Sequence, residues 1–250
     1  MPEAVRYLLM QVRNPDDPMR DHEVQSFARV LETSTECIRT FDLLTEDLAD
    51  EHFERTDMFL FGGSGHYSAA GEGAWLDRAL ETIRRVHDSG TPTFASCWGF
   101  QAMARAMGGR VIKDLAHAEV GTHELTLTES GLADPVFGSL GQTFCGQMGH
   151  EDHVIELPPN ATLLASSPLV TNQAYRFDDA PIYCTQFHPE LNCDDLWVRV
   201  KTYPEYIERI AGLPPERFGE LIQESTETEG ILKRFVALCF GNGEGHREGA

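Results

Sequence analysis

Short apolar runs separated by turn formers set the rhythm of the first hundred residues. Tyr7-Leu8-Leu9-Met10-Gln11-Val12 stops at Asn14-Pro15-Asp16-Asp17-Pro18, the pattern of a buried strand running into a loop. His22 to Leu31 then places Phe27, Val30 and Leu31 at i, i+3 and i+4, which predicts a helix ended by Thr33-Ser34-Thr35. Cys37 to Leu44 and Asp57 to Phe61 read as strands, and Leu76, Ala79, Leu80, Ile83 and Val86 keep helical spacing up to Ser89-Gly90. Thr93 to Ser96 is the next strand, passing directly into a helix from Trp98 to Met107 that stops at Gly108-Gly109. These strands do not alternate in polarity, so both faces of their sheet must be covered. That predicts an α/β fold, an open and mostly parallel sheet with helices on both faces. Ligands in such folds collect at the carboxyl ends of the strands.

Further along, Val120 to Leu127 does alternate, beside the turn-rich Ser130 to Pro135, which predicts some antiparallel structure. Val154 to Leu157, Thr162 to Ala165 and Ile182 to Phe187 read as later strands. From about residue 194 the chain turns helical again. With no internal repeat and no break in composition, the reading is one domain over 1–240 with a C-terminal helical extension from about 194, followed by a disordered tail over 241–250.

Composition narrows the function classes. The chain has 250 residues, 41% hydrophobic and 24% charged, as expected of a folded globular protein. Forty acidic against twenty basic side chains give a formal charge of −20, which argues against nucleic acid or an anionic membrane as partner, since phosphates are repelled. The N-terminal residues show no basic patch followed by an apolar stretch, and the longest apolar run, Phe235 to Phe240, falls far short of the roughly 20 residues that span a bilayer. Six cysteines with no C-x-x-C pair fit the reduced thiols of a cytoplasmic protein.

One cysteine stands apart. Cys97 lies where the strand Thr93 to Ser96 becomes a helix, so its sulfur meets the orphan N–H groups and positive dipole end of the first turn, which favour a thiolate. Gly99 gives that corner room for close packing. At the end of the last clear strand, His188 is followed two residues later by Glu190, a base and its orienting carboxylate on one side of an extended chain. His150 and His153 with Glu151 and Asp152 also suggest a metal cluster, but i, i+3 histidines fit no common zinc spacing and a third ligand is not identified. No metal or cofactor is called for.

Taken together, Cys97-x-Gly99-x-Gln101 and Phe187-His188-Pro189-Glu190 resemble the class I glutamine amidotransferases, and the resemblance extends over most of the chain. It implies a flavodoxin-like glutaminase fold and a Cys97–His188–Glu190 triad. Phe61-Gly62-Gly63-Ser64-Gly65 resembles the family's oxyanion loop, which implies Gly63 and Trp98 N–H groups as oxyanion donors. Gln101 and the stretch Met148, Gly149 and His150 are implied as substrate contacts, with Gly149 in the place of the usual serine. The implied substrate is glutamine or another γ-glutamyl small molecule, cleaved through a γ-glutamyl thioester.

The residues after Glu190 contain no glycine-rich nucleotide loop, so any synthetase that consumes the ammonia is expected as a separate subunit. The pattern is closest to a stand-alone branch related to the glutaminase domain of GMP synthetase. Three alternatives stay open beside it. They are a γ-glutamyl peptidase that works without a synthetase, a related cysteine hydrolase with other chemistry, and a binding or regulatory homologue that has lost activity.

Overall fold

The computed structural model describes residues 5–241. Among them a nine-stranded sheet runs in the order β2-β1-β3-β4-β11-β10-β9-β6-β7. Its parallel half consists of β2 (Ile38–Asp42), β1 (Tyr7–Gln11), β3 (Met58–Phe61), β4 (Thr93–Ser96) and β11 (Ile182–Thr185). The antiparallel extension consists of β10 (Ala174–Phe177), β9 (Ala161–Ser166), β6 (Glu119–Leu127) and β7 (Thr143–His150). A separate two-stranded ribbon pairs β5 (Arg110–Lys113) with β8 (Asp152–Glu156).

Strand pleating explains why the parallel strands are apolar at every position. Leu8, Met10, Phe59, Phe61 and Ala95 face α3 (Ala74–Asp88) and α4 (Trp98–Ala106), whereas Tyr7, Leu9, Met58, Leu60 and Phe94 face α1 (Met19–Val30) and α7 (Thr226–Phe240). The expected α/β sheet with helices on both faces is what forms. The alternating segment at Val120 to Leu127 is β6, antiparallel to both neighbours.

Several elements differ from the sequence expectation. Helix α1 begins at Met19, where Asp17 Oδ1 accepts the Met19 N–H at 2.8 Å, a start invisible to apolar spacing because Arg20 and Asp21 open the helix. The stretch from Thr143 to His150 is a strand whose glycines, Gly146 and Gly149, obscure its pattern. The short α2 (Asp50–Glu54), with no buried residue, leaves no periodic trace. The C-terminal extension opens with α6 (Cys193–Thr202), where Asn192 Oδ1 accepts the Asp195 N–H, and passes through a wide turn at Ile207–Ala211 before α7. Apart from Gly241, the expected tail lies outside the described residues.

The loops leaving the carboxyl ends of β1, β3, β4 and β11 hold Arg13, Gly63, Cys97 and His188 respectively. All four residues line one pocket, where the fold class predicts a ligand.

Candidate active site

Cys97 is the hinge between β4 and α4, with φ 50° and ψ −104°, a strained conformation for a residue with a Cβ. Its N–H donates to Thr185 O at 2.8 Å, tying the corner to the neighbouring strand. Gly99 makes the corner possible, because a Cβ there would sit 2.5 Å from Phe61 Cβ. Backbone strain is the usual mark of a side chain held for a purpose. The thiol is 5% exposed, donates to Gly149 O at 3.7 Å and has the Trp98 N–H directed at it.

Burial reverses one expectation. The helix N-terminus was expected to favour a thiolate, but desolvation dominates and pushes the Cys97 thiol up to about 12, with Arg199 opposing and Glu190 reinforcing the rise. As placed, the sulfur carries its proton at neutral pH.

His188 Nδ1 lies 2.7 Å from Glu190 Oε1, and both side chains are buried. Glu190 is held below the usual carboxylate range: burial raises it, and His188 and Arg199 more than compensate. An ionised Glu190 fixes the Nδ1–H tautomer and leaves Nε2 as the nitrogen with the free lone pair. Burial pushes His188 below its ordinary value, against the pull of Glu190 and with help from Arg199, whose Nη1 is 3.3 Å from the same ring nitrogen. The imidazole is therefore neutral and ready to accept a proton.

Cys97 stands between two pockets. The larger, about 190 Å³, is lined by Trp98, Gln101, Lys113, His150, Glu151 and Asp152 among others. The smaller, about 40 Å³, is lined by Gly63, His188, Leu196, Arg199 and Val200 among others. Cys97, Ser64, Gly149 and Tyr206 border both.

The remaining sequence candidates divide. Gln101 reaches the larger pocket while Nε2 donates to Asp152 O at 2.7 Å and Gln186 Oε1 at 3.1 Å. Gly149 borders both pockets, and nothing lies within 4 Å of the Cβ it lacks, so the absent side chain is open space in the site. Met148 lines neither pocket, and its side chain is packed in the core with Phe144 and Phe187, so only its backbone is left for the contact the resemblance implies. His150 borders the larger pocket, yet both ring nitrogens are taken, Nδ1 by Asp152 O at 3.0 Å and Nε2 by Glu119 Oε2 at 3.1 Å.

Gly63, the expected oxyanion donor, lies beside the ring of His188. A Cβ at Gly63 would lie 2.9 Å from His188 Cε1, so glycine is needed for the loop to approach the ring. Its N–H, however, donates to Glu23 Oε1 at 3.1 Å and is not free for a substrate oxygen in this structure. Glu23 comes from α1, is 0% exposed, and is gripped by Arg13 Nη2 at 3.0 Å and Nε at 3.3 Å and by Gln11 Nε2 at 3.1 Å. Arg199 Nη2 is 3.6 Å from Glu23 Oε1 and 3.7 Å from Glu190 Oε1, so one guanidinium stands between the two buried carboxylates, and Arg13 supplies the second positive charge.

Sequence reading also missed the roof. The C-terminal extension lays Tyr203 against Gly65, with its hydroxyl donating to Asp17 Oδ2 at 2.6 Å and accepting from Arg13 Nη1 at 2.9 Å. Tyr206 Oη donates to Gly65 O at 3.2 Å. Arg209 Nη1 pairs with Glu151 Oε1 at 3.1 Å, and Lys113 Nζ meets Glu151 Oε2 at 2.8 Å. The signal that was available is the recurrence of polar-tipped side chains every third residue, Tyr203, Tyr206 and Arg209.

An open α/β sheet thus carries a strained cysteine at a strand-to-helix corner and a His–Glu pair at the end of the neighbouring strand. The chain belongs to the class I glutamine amidotransferases, whose family description "Glutamine amidotransferase class-I" matches residues 23–195. It is 29% identical over 250 residues to gamma-glutamyl peptidase 4 of Arabidopsis thaliana, covering 94% of this chain and 93% of that protein. It is 28% identical over 205 residues to the glutamine-hydrolyzing GMP synthase of Marinomonas sp. (strain MWYL1), covering 73% of this chain but only 37% of the synthase. The crystal structure of a glutamine amidotransferase from Thermotoga maritima superposes with a TM-score of 0.73 at 18% identity, covering 94% of this chain and 97% of that one, which shows the shared fold. Among the described residues no helix is long and apolar enough to cross a membrane.

Proposed function

We propose that this chain hydrolyses the γ-amide bond of glutamine or of a γ-glutamyl compound, with Cys97 as nucleophile, His188 as base and acid, and Glu190 as the group that orients His188. The observation that carries the reading is the buried His188–Glu190 pair, at 2.7 Å, whose histidine lines the same pocket as the strained Cys97. The γ-glutamyl head group enters the larger pocket, where Lys113, Glu151 and Asp152 offer charges of both signs to an α-carboxylate and an α-ammonium, and Gln101 adds an amide. His188 Nε2 takes the thiol proton as the sulfur attacks the amide carbon, so neither group need ionise alone in the buried site. The tetrahedral oxyanion is held by the Trp98 N–H and by the Gly63 N–H once Glu23 releases it, each donor worth roughly 10²–10³ in rate. His188 then protonates the departing amine, and water activated by the same nitrogen hydrolyses the thioester to release glutamate.

A second reading, γ-glutamyl peptidase, is favoured by the smaller pocket. It lies on the His188 side of Cys97, where the leaving amine must sit, and Leu196, Val200 and Tyr203 offer an apolar wall to a substituent that free ammonia lacks. In the glutaminase reading the ammonia passes to a separate synthetase subunit. The six free cysteines among the described residues support a reducing, cytoplasmic setting, and residues 1–240 are taken as one domain.

The test is glutamate release from glutamine and from a panel of γ-glutamyl dipeptides, with Cys97→Ala as control and a glutamine-like electrophile as label. Release from dipeptides but not glutamine selects the peptidase reading. Labelling of Cys97 without turnover selects a glutaminase that waits for its partner. Retention of normal hydrolysis by Cys97→Ala would sink both.

A further inference from the structure

The histidine that sequence reading could not place in a metal cluster meets different partners in the fold. His153, on β8, is 6% exposed, and its Nδ1 is buried with no hydrogen-bond partner. A buried imidazole nitrogen without a partner is costly and calls for an explanation. Opposite it, at the end of β5, Asp114 and His117 sit at i, i+3 on one tight turn, Leu115–His117, where such side chains eclipse. Asp114 Oδ1 caps the turn by accepting from Ala116 N at 2.9 Å, and Oδ2 lies 2.7 Å from His117 Nδ1. The His117 and His153 rings are 5.2 Å apart between centroids.

We propose that Asp114, His117 and His153 bind one divalent transition-metal ion of the zinc type, its remaining coordination positions filled by water. One ligand atom from each of the three lies within 4.8 Å of the others. Ligands about 2.1 Å from a tetrahedral zinc ion stand about 3.4 Å apart, so closure needs a movement that draws the widest pair together by up to about 1.4 Å. Asp114 and His117 are only half-buried and free to make it. Two imidazoles and one carboxylate select zinc, cobalt or nickel over magnesium or calcium, which prefer all-oxygen shells. The ion fastens the turn after β5 to β8. Lys113 and Asp152, next to two of the ligands and facing each other across the ribbon, line the larger pocket, so the ion stiffens that wall. The proposal is independent of the hydrolytic reading.

The experiment titrates the chelator-stripped full chain with zinc and with cobalt by calorimetry, in a Cys97→Ser background that removes the nucleophilic thiol as a competing ligand. One ion binds per chain, the melting temperature rises with metal, and hydrogen exchange in 110–117 and 152–156 slows at least tenfold. His117→Gln and Asp114→Asn change half-exposed side chains that a folded chain tolerates, and each weakens binding at least tenfold and abolishes the thermal shift. His153→Gln does the same while its circular dichroism stays native. Absence of saturable one-to-one binding, or binding that survives His117→Gln and Asp114→Asn unchanged, overturns the proposal.

Discussion

Replacing Glu23 by alanine tests whether the buried charge network behind the triad holds the site together. Glu23 is 0% exposed and Arg13 is 1% exposed, joined by hydrogen bonds of 3.0 and 3.3 Å. Removing one partner of a buried pair strands the other, at a cost of about 3–5 kcal/mol. Arg13 would keep Asp17 at 3.5 Å and the Tyr203 hydroxyl at 2.9 Å, which places the loss at the lower end, about 3 kcal/mol. For chains of this size that lowers the melting temperature by about 6–12 °C. Glu23→Gln keeps the shape and an acceptor for the Gly63 N–H while removing the charge, so it should lose less. The comparison is Asp57→Ala, which breaks the pair of Arg6 and Asp57, 53% and 33% exposed, where about 0–1 kcal/mol is expected. Calorimetry or urea unfolding reads all three. If Glu23→Ala costs no more than Asp57→Ala, the network contributes nothing to stability and the account of Arg13 is wrong.

Four further outcomes are expected. Glu190→Gln keeps the hydrogen bond to His188 but loses the charge that fixes its tautomer, so kcat should fall by on the order of 10⁴ with little change in KM; a fall under tenfold would remove Glu190 from the mechanism. The acid limb of kcat/KM should lie below pH 6.5, because burial depresses His188, and a limb at or above 6.5 contradicts the neutral imidazole. In stability, Glu190, Glu119 and Asp195 all have folded values below their ordinary ones, so the unfolded chain binds more protons at low pH; the stability they supply above about pH 4.5 is lost as pH falls further, seen as a falling melting temperature. Arg209→Ala cuts one tie of the roof, a partly exposed pair worth up to about 1 kcal/mol, so alkylation of Cys97 should quicken by up to about fivefold. An unchanged rate would mean that another element limits access.

Roof and charge network share a physical consequence. Cys97 is covered, its thiol is protonated, and the Gly63 donor is held by Glu23, so the structure describes the site before substrate. Under the proposed hydrolysis, binding energy from a γ-glutamyl head group in the larger pocket would lift the roof and free the Gly63 N–H, the use of remote contacts that raises turnover rather than affinity.

What could be read from the chain, and what could not, follows from the range of the interactions. The parallel half of the sheet was legible because β1, β3 and β4 are buried on both faces and show as unbroken apolar runs. Cys97 and the His188–Glu190 pair were legible because each motif is local, a corner within five residues or a carboxylate two residues from its base. Glu23, Arg13 and Arg199 were not, because each looks like an ordinary charged residue in its own segment; only the fold brings α1, the β1 loop and α6 together, 186 residues apart in the case of Arg13 and Arg199 (199 − 13). Gly63 shows the same limit from the other side. The glycine was recognised through its loop, but the partner of its N–H is a carboxylate 40 residues earlier, which only the long-range charge network brings there.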